Sequence, residues 1–394
     1  MSKRYVIAVV CKILVVLTTL LISILVNRGL GVQLKGDYAY IINYVDILYA
    51  IFSLGLGQCY ATFKRKYGNS LRDTFMILAL TQGCLFLLVG LVLSNLFKIE
   101  FGTEIVILTS ISIVNVVVSM IAVIEESVKR NIVLTSINTL HLFLLIYIYI
   151  SGFCTLKSFL ICYGFIELLR IIILMKIYEL LPNKCNFSSS HISKIYATGF
   201  ITMIVMLLIN INYYLDVIML KKLSDSYNVG LYSVGVTFSN MFLLIPDAFK
   251  EVLFGDSTKK TFSKQTAYSS IKVAILISFI ILVFFFFVGK FAIKFLYGND
   301  YLPSYDLTMI LFCGSFSMIF FKILQPVYIA FGKQTKAMVF LTCSAVANII
   351  ANLILIPKYN CTGAAISSAI SYTICGSLFL IDFVRFGIGE RKDG

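Results

Sequence analysis

Charge is scarce in this chain: Asp, Glu, Lys and Arg make up 13% of its 394 residues, about half the share in soluble domains. A water-soluble globular reading is excluded. Histidine is nearly absent, with two residues, so neither a metal site nor a Ser-His-Asp triad has a basis. No Gly-x-x-x-x-Gly-Lys run occurs, which leaves a gradient, the membrane potential or mass action as the energy source. The ten cysteines form no Cys-x-x-Cys pair; most fall inside apolar runs, where free Cys behaves as a small hydrophobe. No cofactor is expected.

What is abundant is apolar: 59% of the residues are hydrophobic. The net charge of +14 would hint at nucleic acid in a soluble protein, but here the charges lie between apolar runs, and no nucleic-acid partner is expected. Their side of the membrane is the informative quantity. Spans are expected near 6–27, 38–62, 74–97, 104–125, 131–152, 156–180, 195–220, 229–253, 269–295, 305–331, 335–356 and 362–384. Tyr5 to Val26 is too long for a signal segment and is expected to remain as the first span. Such spans of about 20 residues each leave only short connections, too little for an extramembrane catalytic domain. No enzyme is expected.

The alternating connections differ in charge: 21 of the 33 Lys and Arg residues fall in the set that contains the N-terminus and 9 in the opposite set. Both termini are therefore expected in the cytoplasm. The polar stretch 182–194 separates six spans from six, giving an N-terminal lobe 1–181, a cytoplasmic linker 182–194 and a C-terminal lobe 195–394. A basic segment from Ser257 to Lys272 reads as a solvated loop touching anionic lipid. A faint internal match, Gly36-Asp37-Tyr38-Ala39 against Gly230-Leu231-Tyr232-Ser233 at an offset of 194 residues, agrees with two parallel repeats.

Ionisable side chains inside spans carry the functional signal, because each costs about 2.5 to 3.5 kcal/mol near a helix centre unless it finds partners or water. Lys12, Arg170 and Lys322 stand out. Glu167 precedes Arg170 by three residues, a spacing that lets the two meet on one helical face. Lys322 is followed by Gln325 and Pro326, and Pro326 deprives the Lys322 carbonyl of its usual donor, so a kink is expected there. Asp46 and Asp216 are candidates for pairing with these cations or for carrying a coupling proton; Asp216, toward the outer end of its span, has simple solvation as its alternative. Pro246 reads as a second kink near the cytoplasmic end, and Asp247, Lys250 and Glu251 after it as an anchoring cluster. The uncharged polar residues, among them Asn115, Asn138, His141, Asn210, Asn212, Asn348 and Asn352, read mostly as glue between helices.

The stretches Gly36-Asp37-Tyr38, Val229-Gly230-Leu231-Tyr232-Ser233, Leu244-Ile245-Pro246 with Phe249, and above all Asn352-Leu353-Ile354-Leu355-Ile356-Pro357-Lys358-Tyr359 leading into Thr362-Gly363-Ala364-Ala365-Ile366-Ser367 resemble the polysaccharide flippase family. These are the bacterial O-antigen and capsule repeat-unit transporters of the superfamily that also holds multidrug and toxin extrusion antiporters and lipid II flippases. Similar proteins often have Gly where Asn360 stands, a small departure because Asn tolerates left-handed backbone better than most residues. The resemblance implies an all-α integral membrane protein with about twelve helices in two six-helix lobes around a central cavity. It implies a flippase of the bacterial inner membrane, embedded in lipid, with a polysaccharide polymerase as an expected partner. Its cargo would be an undecaprenyl-pyrophosphate-linked oligosaccharide, drawn to cavity cations for which Lys12, Arg28, Arg170 and Lys322 are the candidates. A cation-coupled drug antiporter is the related alternative, which would use an acidic pocket and keeps Asp46 and Asp216 in play. A membrane-embedded polymerase is a third reading, opposed by the short external connections.

Overall fold

A computed structural model of the chain describes residues 3–181, 189–247, 249, 264–331 and 333–386. Among them the main elements are helices: α1 (Lys3–Phe52), α2 (Leu56–Tyr67), α3 (Arg72–Leu96), α4 (Gly102–Ile150), α5 (Leu156–Ile177), α6 (Ser189–Leu223), α7 (Ser226–Phe242), α8 (Lys264–Tyr297), α9 (Ser304–Ala330) and α10 (Gln334–Phe386). Nine helical stretches among the described residues are long and apolar enough to cross a membrane. The chain is a multi-pass, all-α membrane protein.

Three helices, α1, α4 and α10, of 50, 49 and 53 residues, far exceed the ~20 residues that one crossing needs, and each contains one residue with non-helical backbone. In α1 it is Gly31 (φ 68°, ψ 175°), a conformation open to glycine because no Cβ obstructs it. In α4 it is Glu126 (φ −155°, ψ 90°), whose carbonyl accepts the Tyr178 hydroxyl at 2.8 Å. In α10 it is Asn360 (φ 48°, ψ −128°), three residues after Pro357, where the ring has already removed one amide donor.

The chain divides into two compact units, Met1–Asn210 and Ile211–Gly394. Of the expected linker, 182–188 lies outside the described residues and 189–194 opens α6. In the first unit α4 is the central element, packed against α1, α2, α3 and α5. Its core joins Tyr60 and Phe63 of α2 to Phe75 and Met76 of α3, Val117 and Ile121 of α4 and Leu174 of α5. In the second unit α9 is flanked by α7, α8 and α10. The small residues Ala364, Ala365, Ser367 and Ser368 are fully buried, as a close-packing surface requires.

Cysteines among the described residues are free. Cys11, Cys59, Cys162 and Cys375 are buried, and Cys84, Cys313 and Cys343 are exposed on stretches apolar enough to face hydrocarbon. Of the basic segment Ser257 to Lys272, 257–263 lies outside the described residues, and 264–272 opens α8 instead of forming a loop.

Candidate functional site

In the first unit a polar cluster is built on α4 and α5. Arg170 Nη1 pairs with Glu167 Oε1 at 2.7 Å, across the single turn of α5 that separates them. Asn115 of α4 donates to the same carboxylate and is itself braced by Ser119 Oγ at 3.1 Å. On the far side of the α4 break, Asn138 Oδ1 accepts from Arg170 Nη2 at 3.4 Å. Two residues read as glue between helices thus orient an ion pair.

A second guanidinium lies near the cluster. Arg130, four residues beyond an extended Glu126 and back in helical backbone, is half-buried and close enough to Arg170 for the two charges to repel. Sequence reasoning placed Arg130 in a connection and missed it. The Nε–H groups of both Arg130 and Arg170 are buried with no acceptor among the described residues. Buried donors are normally paired, and one that is not calls for an explanation such as a bound acceptor.

The remaining expected residues of this unit are placed differently. Arg28 is exposed on α1, next to the buried Val26 and Asn27. The side chain of Lys12 lies outside the described residues. Asp46 does not pair with a cation among the described residues; its backbone carbonyl accepts Asn210 Nδ2 at 2.7 Å, and its carboxylate is within Coulomb range of Glu167.

In the second unit Lys322 of α9 reaches Asp247 Oδ2 at 3.0 Å and is 17% exposed at its side chain. It also lies 5.5 Å from the centre of the Tyr213 ring, a cation–π distance. Asp247 was expected to anchor a helix end; instead it is the counterion of the membrane cation, with Lys250 and Glu251 outside the described residues. The helix carrying it ends at Phe242 and resumes after Leu243, three residues before Pro246, where a proline ring disturbs the preceding turn. By contrast, α9 runs through Pro326 to Ala330.

Asp216 corrects two expectations at once. It is neither solvated nor paired with a cation among the described residues: it is 1% exposed. Its Oδ1 accepts the Val217 amide at 2.8 Å, and its Oδ2 accepts Ser368 Oγ at 2.7 Å and the Tyr232 hydroxyl. Three donors from α6, α7 and α10 replace the water that burial removed. A third buried acid, Asp382, accepts the Tyr328 hydroxyl and Lys336 Nζ, each at 2.7 Å.

No family model matches the chain, and no curated protein matches it. Solved structures do. The lipid II flippase MurJ in an inward closed conformation superposes with a TM-score of 0.77 and 16% identity, over 96% of this chain and 87% of that one. An inward-facing multidrug resistance MATE family transporter of the MOP superfamily gives 0.74 and 13%, over 95% and 96%. A MOP superfamily transporter from Pyrococcus furiosus, described as having a binding pocket of reverse polarity, gives 0.64 and 13%, over 99% and 97%. The chain therefore has the all-helical fold of MOP-superfamily transporters.

Proposed function

We propose that this protein is a flippase that moves a polyprenyl-pyrophosphate-linked oligosaccharide repeat unit, of the O-antigen or capsule type, from the cytoplasmic to the outer leaflet of the bacterial inner membrane. In this reading lobes 1–181 and 195–394 work by alternating access about the linker 182–194, with both termini cytoplasmic and twelve spans in all. No enzymatic step is involved, and a polysaccharide polymerase receives the product.

The observation that carries the reading is the pair of buried, unpartnered Nε–H groups on Arg130 and Arg170. Phosphate oxygens are the acceptors a guanidinium fork matches best. Arg170 is already neutralised by Glu167, and Lys322 by Asp247, so neither charge is bare, although the Arg170 Nε–H still lacks an acceptor among the described residues. A diphosphate must displace or share the resident carboxylate, which makes partner exchange the selective step. Lys12 and Arg28 are assigned as further cations on the path. An inside-negative potential helps an anion outward by about 2.3 kcal/mol per charge per 100 mV.

A deletion strain is expected to accumulate the lipid-linked repeat unit on the cytoplasmic leaflet, with rescue by the native chain and not by an Arg130→Gln/Arg170→Gln variant of equal membrane abundance. Unchanged surface polysaccharide with no trapped precursor would overturn the proposal. The second reading, a cation-coupled drug antiporter, is favoured by Asp46 and Asp216, two acids in spans that hold no cation among the described residues. It predicts drug hypersensitivity and normal precursor levels in the same strain.

A further inference from the structure

At the end of the first unit where α3 turns into α4, a polar bowl of about 440 Å³ is lined by Ser94, Asn95, Lys98, Thr103 and Glu104. Two residues with positive φ shape it, Lys98 (48°) and Phe101 (56°). Thr103 and Glu104 also border a second space, a groove of about 490 Å³ between α4 and α5. The two therefore adjoin across these residues.

Each wall of the groove follows the same pattern. On α4, Glu104 is succeeded by Ile107, Leu108 and Ile111; on α5, Lys157 is succeeded by Leu160, Ile161, Gly164 and Leu168. These are the spacings of one helical face, charged at the bowl end and apolar along the rest. Leu108 and Leu160 are buried beneath, while Ile107 and Ile161 stand 46% and 62% exposed. From Lys157 to Leu168 the groove runs ~16 Å at 1.5 Å per residue, about half of the ~30 Å hydrocarbon core. That is the depth of one leaflet and the reach of one ordinary acyl chain; a polyprenyl chain is far longer.

The bowl end carries two cations, Lys98 and Lys157, and one carboxylate, Glu104. Neither lysine is held in an ion pair among the described residues, and Glu104 accepts only from its neighbour Thr103, at 2.8 Å. From this charge pattern we infer that the α3–α4–α5 groove is a docking site for one phospholipid whose headgroup joins a phosphate to a primary ammonium, phosphatidylethanolamine. The phosphate meets the lysines, the ammonium donates to Glu104, and one acyl chain fills the groove. A purely anionic headgroup would face the Glu104 carboxylate unfavourably. A quaternary ammonium has no proton to give it.

The test is native mass spectrometry of the full-length protein recovered from nanodiscs of equal phosphatidylethanolamine and phosphatidylglycerol. One phosphatidylethanolamine is expected to be retained in preference by about tenfold, the effect of a single charge-assisted contact. Glu104→Lys is expected to reverse the preference, Lys98→Gln/Lys157→Gln to weaken retention of both lipids, which share the phosphate, and Gly164→Leu to abolish retention. Gly164 is apt because its side chain would project into the groove, a Cβ there meeting only the flexible end of Leu108 at 3.1 Å. Should Gly164→Leu fail to fold, the charge variants at the bowl decide alone. Equal retention of both lipids, an unchanged preference in Glu104→Lys, or displacement by a polyprenyl phosphate would overturn the inference.

Discussion

Arg170 donates Nη1 to Glu167 Oε1 at 2.7 Å, one turn earlier on α5, while its buried Nε–H meets no acceptor among the described residues. One side of the guanidinium is thus spent on structure and the other is available. The two roles separate by mutation. Arg170→Ala strands a buried carboxylate, and breaking such a pair from one side costs about 3–5 kcal/mol. It is expected to lower thermal stability and membrane abundance. Glu167→Met/Arg170→Met removes both charges, a change often neutral for stability, and is expected to restore abundance while export stays lost. A double variant that exports normally would show that the pair serves packing alone.

Lys322 and Asp247 give the matching test in the second unit. Lys322→Ala is expected to abolish export, and Lys322→Arg to keep part of it because the charge remains. Asp247→Asn frees the ammonium from its counterion and is expected to make the protein hold its precursor more tightly, visible as more lipid-linked glycan co-purifying with it. If Lys322→Ala is well expressed and fully active, Lys322 is not on the cargo path.

The helices were legible because apolar runs read the same in sequence and in space. The breaks at Gly31, Glu126 and Asn360 fall in or beside the expected connections between spans. The Glu167–Arg170 pair was legible because its partners are three residues apart. Partners distant in the chain were not. Asp247 lies 75 residues from Lys322, and Ser368 lies 152 from Asp216; nothing local to Asp216 shows that hydroxyls arrive from two other helices to bury it. Arg130 was hidden for another reason. A charge close after a span end reads as a loop residue unless the helix is known to resume at once, as α4 does.

Asn360 occupies backbone that favours glycine, with φ 48° and ψ −128°. Its compensation is Ser224 Oγ, which donates to Asn360 Oδ1 at 3.0 Å. Strained backbone costs about 1–3 kcal/mol, against about 0.5–1.5 kcal/mol for a hydrogen bond. Asn360→Gly is expected to relieve more than it loses and to raise the unfolding temperature in detergent slightly. Asn360→Val, β-branched and without the acceptor, is expected to lower it. A Gly variant less stable than the native chain would mean that the Ser224 bond outweighs the strain.

The contact between α9 and the second half of α10 rests on the absence of two side chains. A Cβ at Gly376 would overlap the Ser317 carbonyl oxygen, and a Cβ at Gly314 would stand 2.5 Å from Ala369 Cα. Both obstacles are backbone, which cannot rotate aside as a side-chain tip can. Gly376→Ala is therefore expected to force the helices apart and cost at least about 3 kcal/mol, the upper end for overpacking. Gly164→Ala, whose added carbon meets only the movable Leu108 Cδ2, is expected to cost much less. Side-by-side thermal unfolding of the two variants in one detergent checks the contrast. Equal transitions would mean that α9 and α10 have slack at this crossing, and the same slack would then be available for one helix to slide on the other during transport.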